Sequence, residues 1–386
     1  MKNLKLIMAI ILLIPTLLFL GCSNTQKPVQ KETIKIGWVG ALTGDQAAWG
    51  QCELNTIKML FENINNNGGV LGRNLEVIGY DTKGDPNETV SGVKRLVEKE
   101  KVLVILGPNS SNSAIPISSV LESAKVPGIA TVATNPRVTE ENGKVKPYSF
   151  RVCFVDSYQG NVAATYAREV LKLNTAAILY DSSDEYSTDL ASFFEESFTQ
   201  KGGQIVAKEA FKAGDIDFTP QLKRIKETSP EVIFMPYFHD EVGYSTKQAR
   251  ELGIRSIFMG GDGWPSDELY REYKKYIEGS YIVNHLNTND PEVQELKRLY
   301  KEKYNTNIEL NGYMVHDAVL AMVKAIETAG ELSSEKITKA LEGIDVKGIT
   351  GRIKIGKDTH NPEGKEAAII KIVDGKEVFV QKFAAD

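Results

Sequence analysis

The chain reads as an α/β protein of two lobes, each a doubly wound, mostly parallel sheet. Three observations predict this. From Thr33 onward, strand-length apolar runs alternate with helix-length amphipathic ones across short loops. The alternation runs to about Phe150 and then starts again, a coarse duplication rather than a short tandem repeat. A chain of 386 residues, 42% hydrophobic and 25% charged, can furnish two cores, and this composition fits neither disorder nor a coiled coil.

The elements follow in order. "IKIGWVGAL" (34–42) is predicted as a strand entering a glycine turn. "NTIKMLFENINNNGG" (55–69) has Ile57, Leu60, Phe61 and Ile64 near helical spacing and is stopped by Asn and Gly. "LEVIGYD" (75–81) is a strand, and "PNETVSGVKRLVEKE" (86–100) a helix opened by Pro86. "VLVILG" (102–107) is continuously apolar, as in a strand covered on both faces. A helix over 114–124 and a strand over 126–131 complete the first round. The second round has a helix over 158–172, the strand "TAAILYD" (175–181) and a helix over 189–203 that ends at Gly202-Gly203. "QIVAKEAF", "FTPQLKRIKE", "EVIFMP", "EVGYSTKQAREL", "SIFMGGDGW" and "GSYIVNH" continue the alternation. Helices are then predicted over 291–304, 311–329 and 333–342, and a tail of short strands in which "IVDGKEV" (372–378) turns through Asp374-Gly375.

The first residues form a separate unit. Lys2 and Lys5 precede "LIMAIILLIPTLLFL" (6–20), followed by Gly21 and Cys22. A basic start, an apolar core and a small residue before the cut read as an export signal. The core is short for a membrane span, and Pro15 interrupts it. "LFLGCSN" resembles a bacterial lipoprotein box with Cys22 as the acylated residue, although Phe19 stands where that motif prefers Leu. The plain alternative is a buried Cys behind an ordinary signal. The polar stretch "SNTQKPVQKE" (23–32) favours lipidation because it reads as a tether, so the expectation is an exported protein anchored to the membrane without spanning it. Without residues 1–21 the chain keeps 44 basic against 51 acidic side chains, a net −7 instead of −5. The two signs are interspersed, with no basic stripe of the kind nucleic acid requires. Cys52 and Cys153 remain, too few for a disulfide framework or a paired metal spacing, and are expected as structural thiols.

Motifs for chemistry fail one by one. "GRIKIGKD" (351–358) fits a phosphate loop until Asp358, which replaces the Ser or Thr that would hold magnesium. "GGDGWP" (260–265) is not a dinucleotide turn, because Ser266 takes the last glycine position. His239, His285, His316 and His360 are scattered, and no nucleophile elbow occurs. These absences weaken the reading as an exported hydrolase.

Two loops look different. "GPNSSNSA" (107–114) follows an apolar strand and places Ser110, Ser111 and Asn112 at a helix start, where free N–H groups favour an anion. Taken alone it is an ordinary N-cap. "ATVATNP" (130–136) adds Thr131 and Thr134 at the end of the next strand, and otherwise reads as a plain loop. The two together suit a carboxylate. "GGDGW" (260–264) offers Asp262 for an ammonium, against the alternative of a turn aspartate.

At these residues the sequence resembles the periplasmic binding proteins for leucine, isoleucine and valine that serve ABC importers. The likeness runs from about Lys35 to Ile353. It is carried by "IKIGWVGALTGDQAAWG" (34–50), "NNNGGVLGRNLEVIGYDTKGDPNETV" (65–90), "KQARELG" (247–253) and "FMGGDGW" (258–264). The resemblance implies a two-lobed type I periplasmic-binding-protein fold whose chain crosses a hinge three times. Residues 33–152 with 285–362 would form lobe 1, and 153–284 with 363–386 lobe 2. Residues 1–21 would be the signal and 22–32 the lipidated tether. It implies Ser111 on the ligand carboxylate, Thr134 on carboxylate and ammonium, the Val132 carbonyl on the ammonium, and Asp262 on the ammonium. Tyr186, Trp49 and Tyr313 would be the aromatic walls. Phe238 stands where some members have a tyrosine hydroxyl, a contact that Tyr237 would then supply. Gly84 and Ser110 occupy the places of a disulfide found in enteric members, and Trp264 adds bulk beside Asp262.

The expected function is capture of a branched-chain or similar apolar amino acid and its delivery to ABC transporter permease subunits. No cofactor, metal or nucleic acid is expected, and the protein would act as a monomer at the cell envelope. Alternatives are a receptor of the same fold for an amide, urea or another small metabolite, in transport or sensing, and an exported hydrolase.

Overall fold

In the computed structural model, residues 33–383 are described, and Cys22, with the signal and tether expected around it, lies outside them. The first round consists of β1 (Ile34–Gly40), α1 (Ala47–Asn66), β2 (Leu75–Asp81), α2 (Pro86–Arg95), β3 (Ile105–Leu106), α3 (Ser111–Ala124) and β4 (Gly128–Ala130). A small hairpin of β5 (Glu140–Glu141) and β6 (Lys144–Val145) precedes β7 (Ser149–Arg151). The second round is α4 (Asp156–Thr165), β8 (Thr175–Asp181), α5 (Glu185–Gln200), β9 (Gln204–Phe211), α6 (Thr219–Thr228), β10 (Val232–Met235), α7 (His239–Glu251), β11 (Ile257–Gly260), α8 (Asp267–Glu272) and β12 (Tyr281–Asn284). Then come α9 (Pro291–Tyr304), α10 (Leu310–Ala329), α11 (Ser334–Leu341), β13 (Asp345–Gly348), β14 (Gly351–Lys354), β15 (Ala367–Val373) and β16 (Lys376–Phe383).

Two sheets result. One has the order β2-β1-β3-β4-β7 and is parallel throughout. The other has the order β16-β15-β12-β11-β10-β8-β9, parallel except where β15 and β16 add antiparallel strands at one edge. The predicted tail hairpin is therefore part of this sheet. Its turn places Asp374 and Gly375 both at positive φ, the geometry that two-residue loops favour. The largest core joins β1 and β4 to side chains from α9, α10 and α11, including Leu296, Met314, Met322 and Leu341. Residues 291–341 therefore cover the first sheet, although they follow the second in sequence. Two further cores lie on the faces of the second sheet.

Three expectations need adjustment. Only Ile105–Leu106 of the apolar run at 102–107 is regular strand, although Leu103 and Val104 still bond to β1 through Lys35 O (3.0 Å) and Gly37 N (2.9 Å). The helix predicted from residue 55 begins at Ala47. Gly50 looks like a breaker, yet it allows close approach of the helix: a Cβ there would lie 1.8 Å from Ala41 O. The helix at 86–95 is prolonged as a π-helical turn over Leu96–Glu100. Cys52 and Cys153 are both free and buried, and burial pushes each thiol up to about 12, as structural thiols require.

Candidate functional site

The carboxyl ends of β1, β3 and β4 and of β8, β10 and β11 face one cleft. A narrow cavity lies in it. Trp49, Asn109, Ser110, Ser111, Val132 and Asn311 line it from the side of the first sheet, and Tyr186, Phe238, Asp262 and Gly263 from the side of the second.

Helix α3 starts at one end of the cavity. Gly107 turns the chain at φ +85°, where a Cβ would also lie 2.5 Å from Val39 O. Ser110 then occupies the N-cap position, but its side chain makes no capping bond. The first N–H groups of the helix are thus left for a partner. Ser111 Oγ accepts from Asn135 N (3.2 Å), which leaves its own proton to donate.

The opposite end is acidic. Asp262 is buried, with Oδ1 accepting from Gln159 Nε2 (2.9 Å) and Oδ2 2.8 Å from His285 Nε2. Burial holds the His285 pKa below its usual value, so its ring is neutral near pH 7 and donates through Nε2–H. His285 stacks on Phe154 with centroids 3.6 Å apart. Asp156, the first residue of α4, lies beside this group. It is fully buried, and neither carboxyl oxygen has a hydrogen-bond partner. Desolvation first, and then the neighbouring Asp262 charge, raise its pKa well above the usual range, against the hydroxyl of Thr134 and the more distant Arg151. Asp156 N donates to Thr134 O (2.9 Å), which ties the acid to the 130–136 loop. Sequence reasoning missed Asp156, because an acid in the first turn of a helix is the usual complement to its dipole.

Aromatic rings close the remaining side. Tyr186 stacks on Phe238 (5.4 Å), and Phe238 meets the edge of Trp49 (5.7 Å). The Tyr186 hydroxyl accepts from Gly263 N (3.2 Å). Direct bonds also join the two sides. Asn112 Oδ1 accepts from Glu185 N (2.8 Å), Asn135 Nδ2 donates to Asp189 Oδ2 (2.8 Å), and Arg137 pairs with Glu185.

Of the residues expected here, Ser111, Val132, Asp262, Trp49, Tyr186 and Phe238 line the cavity together. Thr134 lies behind it, fully buried beside Asp156. Tyr313 does not line it: it borders a separate crevice with Tyr270, Glu309 and Glu377. The residue of α10 that reaches the cavity is Asn311, because two positions along a helix amount to a rotation of about 200°. Tyr237 supplies no hydroxyl here either, since its OH lies 2.8 Å from Ser245 Oγ in the core. Trp264 is also core, packed under Gly260 and donating to Met235 O (2.8 Å) rather than adding bulk to the site.

Behind Trp49, one turn along α1, Glu53 is fully buried. It accepts from Thr131 Oγ1 (2.6 Å) and Trp38 Nε1 (3.1 Å). Burial outweighs these bonds and pushes its carboxyl up to about 7. A raised carboxyl binds its proton in the folded chain and releases it in the unfolded one. Its contribution is therefore complete below the unfolded value, about 4.3, and is lost as pH rises through about 7. Glu53→Gln should flatten the decline in thermal stability across that window, as read from melting curves taken between the two limits. An unchanged slope would remove Glu53 from the account.

Among the described residues no helix is long and apolar enough to cross a membrane. A family model described as periplasmic binding protein matches residues 33–376. The chain is 29% identical to the leucine-, isoleucine-, valine-, threonine- and alanine-binding protein of Pseudomonas aeruginosa, over 83% of this chain and 85% of that one. Among solved structures, a leucine binding protein of Thermotoga maritima is similar at TM-score 0.84 and 28% identity, covering 91% of this chain and 98% of the other. The branched-chain amino acid transporter substrate binding protein of Streptococcus pneumoniae, solved with isoleucine, is similar at TM-score 0.83 and 28% identity, covering 92% and 99%. The cleft between two mostly parallel sheets, the family match over residues 33–376 and these likenesses place the chain in one group: it belongs to the periplasmic binding protein family.

Proposed function

We propose that the protein captures an α-amino acid of the leucine, isoleucine and valine kind in this cleft and presents it to the permease of an ABC importer. One observation carries the reading. An uncapped helix start and the buried carboxylate of Asp262 line the same cleft from opposite sides, with the unpartnered carboxyl of Asp156 behind Asp262. A zwitterion satisfies both ends at once, and each bond is charge-assisted in a site sheltered from water. The carboxylate would rest on Ser111 and the α3 N–H groups. The ammonium would meet the Val132 carbonyl, Thr134, Asp156 and Asp262, with Trp49, Tyr186 and Phe238 around the side chain. Asp262 already accepts two bonds from within the protein, so Asp156 is assigned the larger share of the ammonium charge.

The lobe division proposed on this reading is 33–152 with 285–362 against 153–284 with 363–386. The clasp of Asn112, Asn135 and Arg137 onto α5 would form only when the lobes close on ligand. No bond is made or broken, so the protein is not an enzyme. It would work as a monomer, held by a lipid on Cys22 at the outer side of the cytoplasmic membrane or in the periplasm.

A thermal-shift screen tests this, because a ligand of the native state raises the melting temperature by mass action. At a ligand concentration 100 times Kd the gain is about 2.7 kcal/mol. Leucine, isoleucine or valine should raise the transition, while acetamide and urea should leave it in place. A shift with an amide or urea and with no amino acid would replace the ligand class.

A further inference from the structure

The wall that would receive the amino-acid side chain is not purely apolar. Trp49 Nε1, Asn109 Nδ2 and Asn311 Nδ2 are buried and have no hydrogen-bond partner, and all three residues line the same cavity. Each of these atoms is a donor only. Asn311 also stands within reach of Glu53, which competes with a ligand for its amide. An aliphatic side chain would leave at least the Trp49 and Asn109 donors unanswered, and buried polar groups are nearly always answered.

We propose that the pocket extends its range to neutral side chains carrying a hydrogen-bond acceptor, a hydroxyl or an amide carbonyl, and holds these more tightly than their apolar isosteres. This rests on the amino-acid reading of the cleft and names the side-chain class within it. The neutrality follows from the surroundings. The ring against Trp49 is His239 (4.8 Å), which burial holds down to about 4, so it carries no positive charge near pH 7. The acid beside Asn311 is Glu53. A second carboxylate on the ligand would therefore meet a carboxyl that burial already makes costly to ionise, and no cation among the lining residues. Discrimination by such a site is asymmetric. A purely apolar pocket barely rejects an isostere with an added hydroxyl, whereas a pocket built around donors rejects the analogue that lacks the acceptor.

The test uses isosteric pairs. Calorimetric titration of the purified protein compares threonine with valine and asparagine with leucine. The expected result is that at least one polar member binds tenfold or more tightly than its partner. In Asn109→Leu/Asn311→Leu that preference should vanish, while valine and leucine bind as well as before or better. Trp49→Phe removes one donor and keeps the ring, and should shrink the preference if the double variant does not fold. The wild-type ratios decide the matter without any variant. If leucine and valine bind as tightly as asparagine and threonine or more so, the polar pocket is wrong and the amino-acid reading stands. If none of the four binds, both readings fall together.

Discussion

Asp156→Asn should weaken amino-acid binding by roughly a hundredfold and, in the same variant, raise the melting temperature of the ligand-free protein. The two effects share one cause. The buried carboxyl closes no hydrogen bond and has only the Thr134 hydroxyl near it, so it destabilises the free form, and on the proposed reading the ligand's ammonium would be its partner. A hydrogen bond to a charged group contributes about 1.5–3 kcal/mol, and a hundredfold loss corresponds to about 2.8 kcal/mol. Asn is neutral without taking up a proton, so the free protein no longer bears the cost of protonating a buried carboxyl on folding. The pH behaviour follows from the raised pKa. The folded chain keeps this proton above the unfolded value of about 3.9, so stability falls as pH rises from there toward the raised value. Binding a cation favours the ionised acid, so affinity should rise over the same range. Calorimetric titrations and melting curves at several pH values check all three. A variant that loses affinity and stability together would mean that Asp156 is merely structural.

Arg151→Met should lower the melting temperature by on the order of 10 °C and abolish high-affinity binding. Arg151 ends β7 and is fully buried. It donates to Ala133 O (2.9 Å), Asn135 O (2.7 Å) and Thr139 Oγ1 (3.2 Å), and so holds the whole loop that carries Val132 and Thr134. Burial lowers its pKa, with the Asp156 charge acting in the opposite sense. Methionine fills much of the volume but leaves those acceptors buried and unpaired. The loss is about 3–5 kcal/mol, the range for breaking a buried charged network. Arg151→Lys should fall in between, because one ammonium cannot reproduce a planar fork aimed at several carbonyls. Thermal unfolding of the three proteins reads the order directly, and an Arg151→Met protein as stable as wild type would sink the account.

The fold was legible where apolar periodicity and breakers agree. "LEVIGYD", "TAAILYD" and "QIVAKEAF" have the same bounds as β2, β8 and β9, because each is flanked by turn residues that end the pairing. The helix at Ala47 was not legible, since Gly50 is a breaker by propensity and a contact residue by packing. The run at 102–107 looked like a long strand because burial on both faces gives the same text whether or not the ladder is regular.

The site was legible at its loops and obscure in its helices. Ser111, Val132 and Asp262 follow strands in stretches crowded with small donors and glycine, which periodicity does not explain, and they meet at one cavity. Asp156 and Asn311 sit in helices, where an acid in the first turn or an amide on one face has an ordinary explanation. Only the pairing state of their side chains sets them apart, and that exists in three dimensions alone. The resemblance pointed to Tyr313 on α10, which borders the neighbouring crevice, while helical rotation brings Asn311 to the cavity.

The order of the strands has a consequence for how the molecule is made. The core on one face of β1 includes Leu341 and Ile353, so that face of the first sheet stays uncovered until those residues have been synthesised. The second sheet places Val283 opposite Ile369, and its last two strands end at Phe383. Neither half can mature on its own as the chain emerges. Both must close loops spanning most of the sequence, and contacts of such high order make assembly slow and late. Complete closure of both halves therefore waits until nearly all of the polypeptide is available, which favours a chain that can still be threaded through a narrow channel.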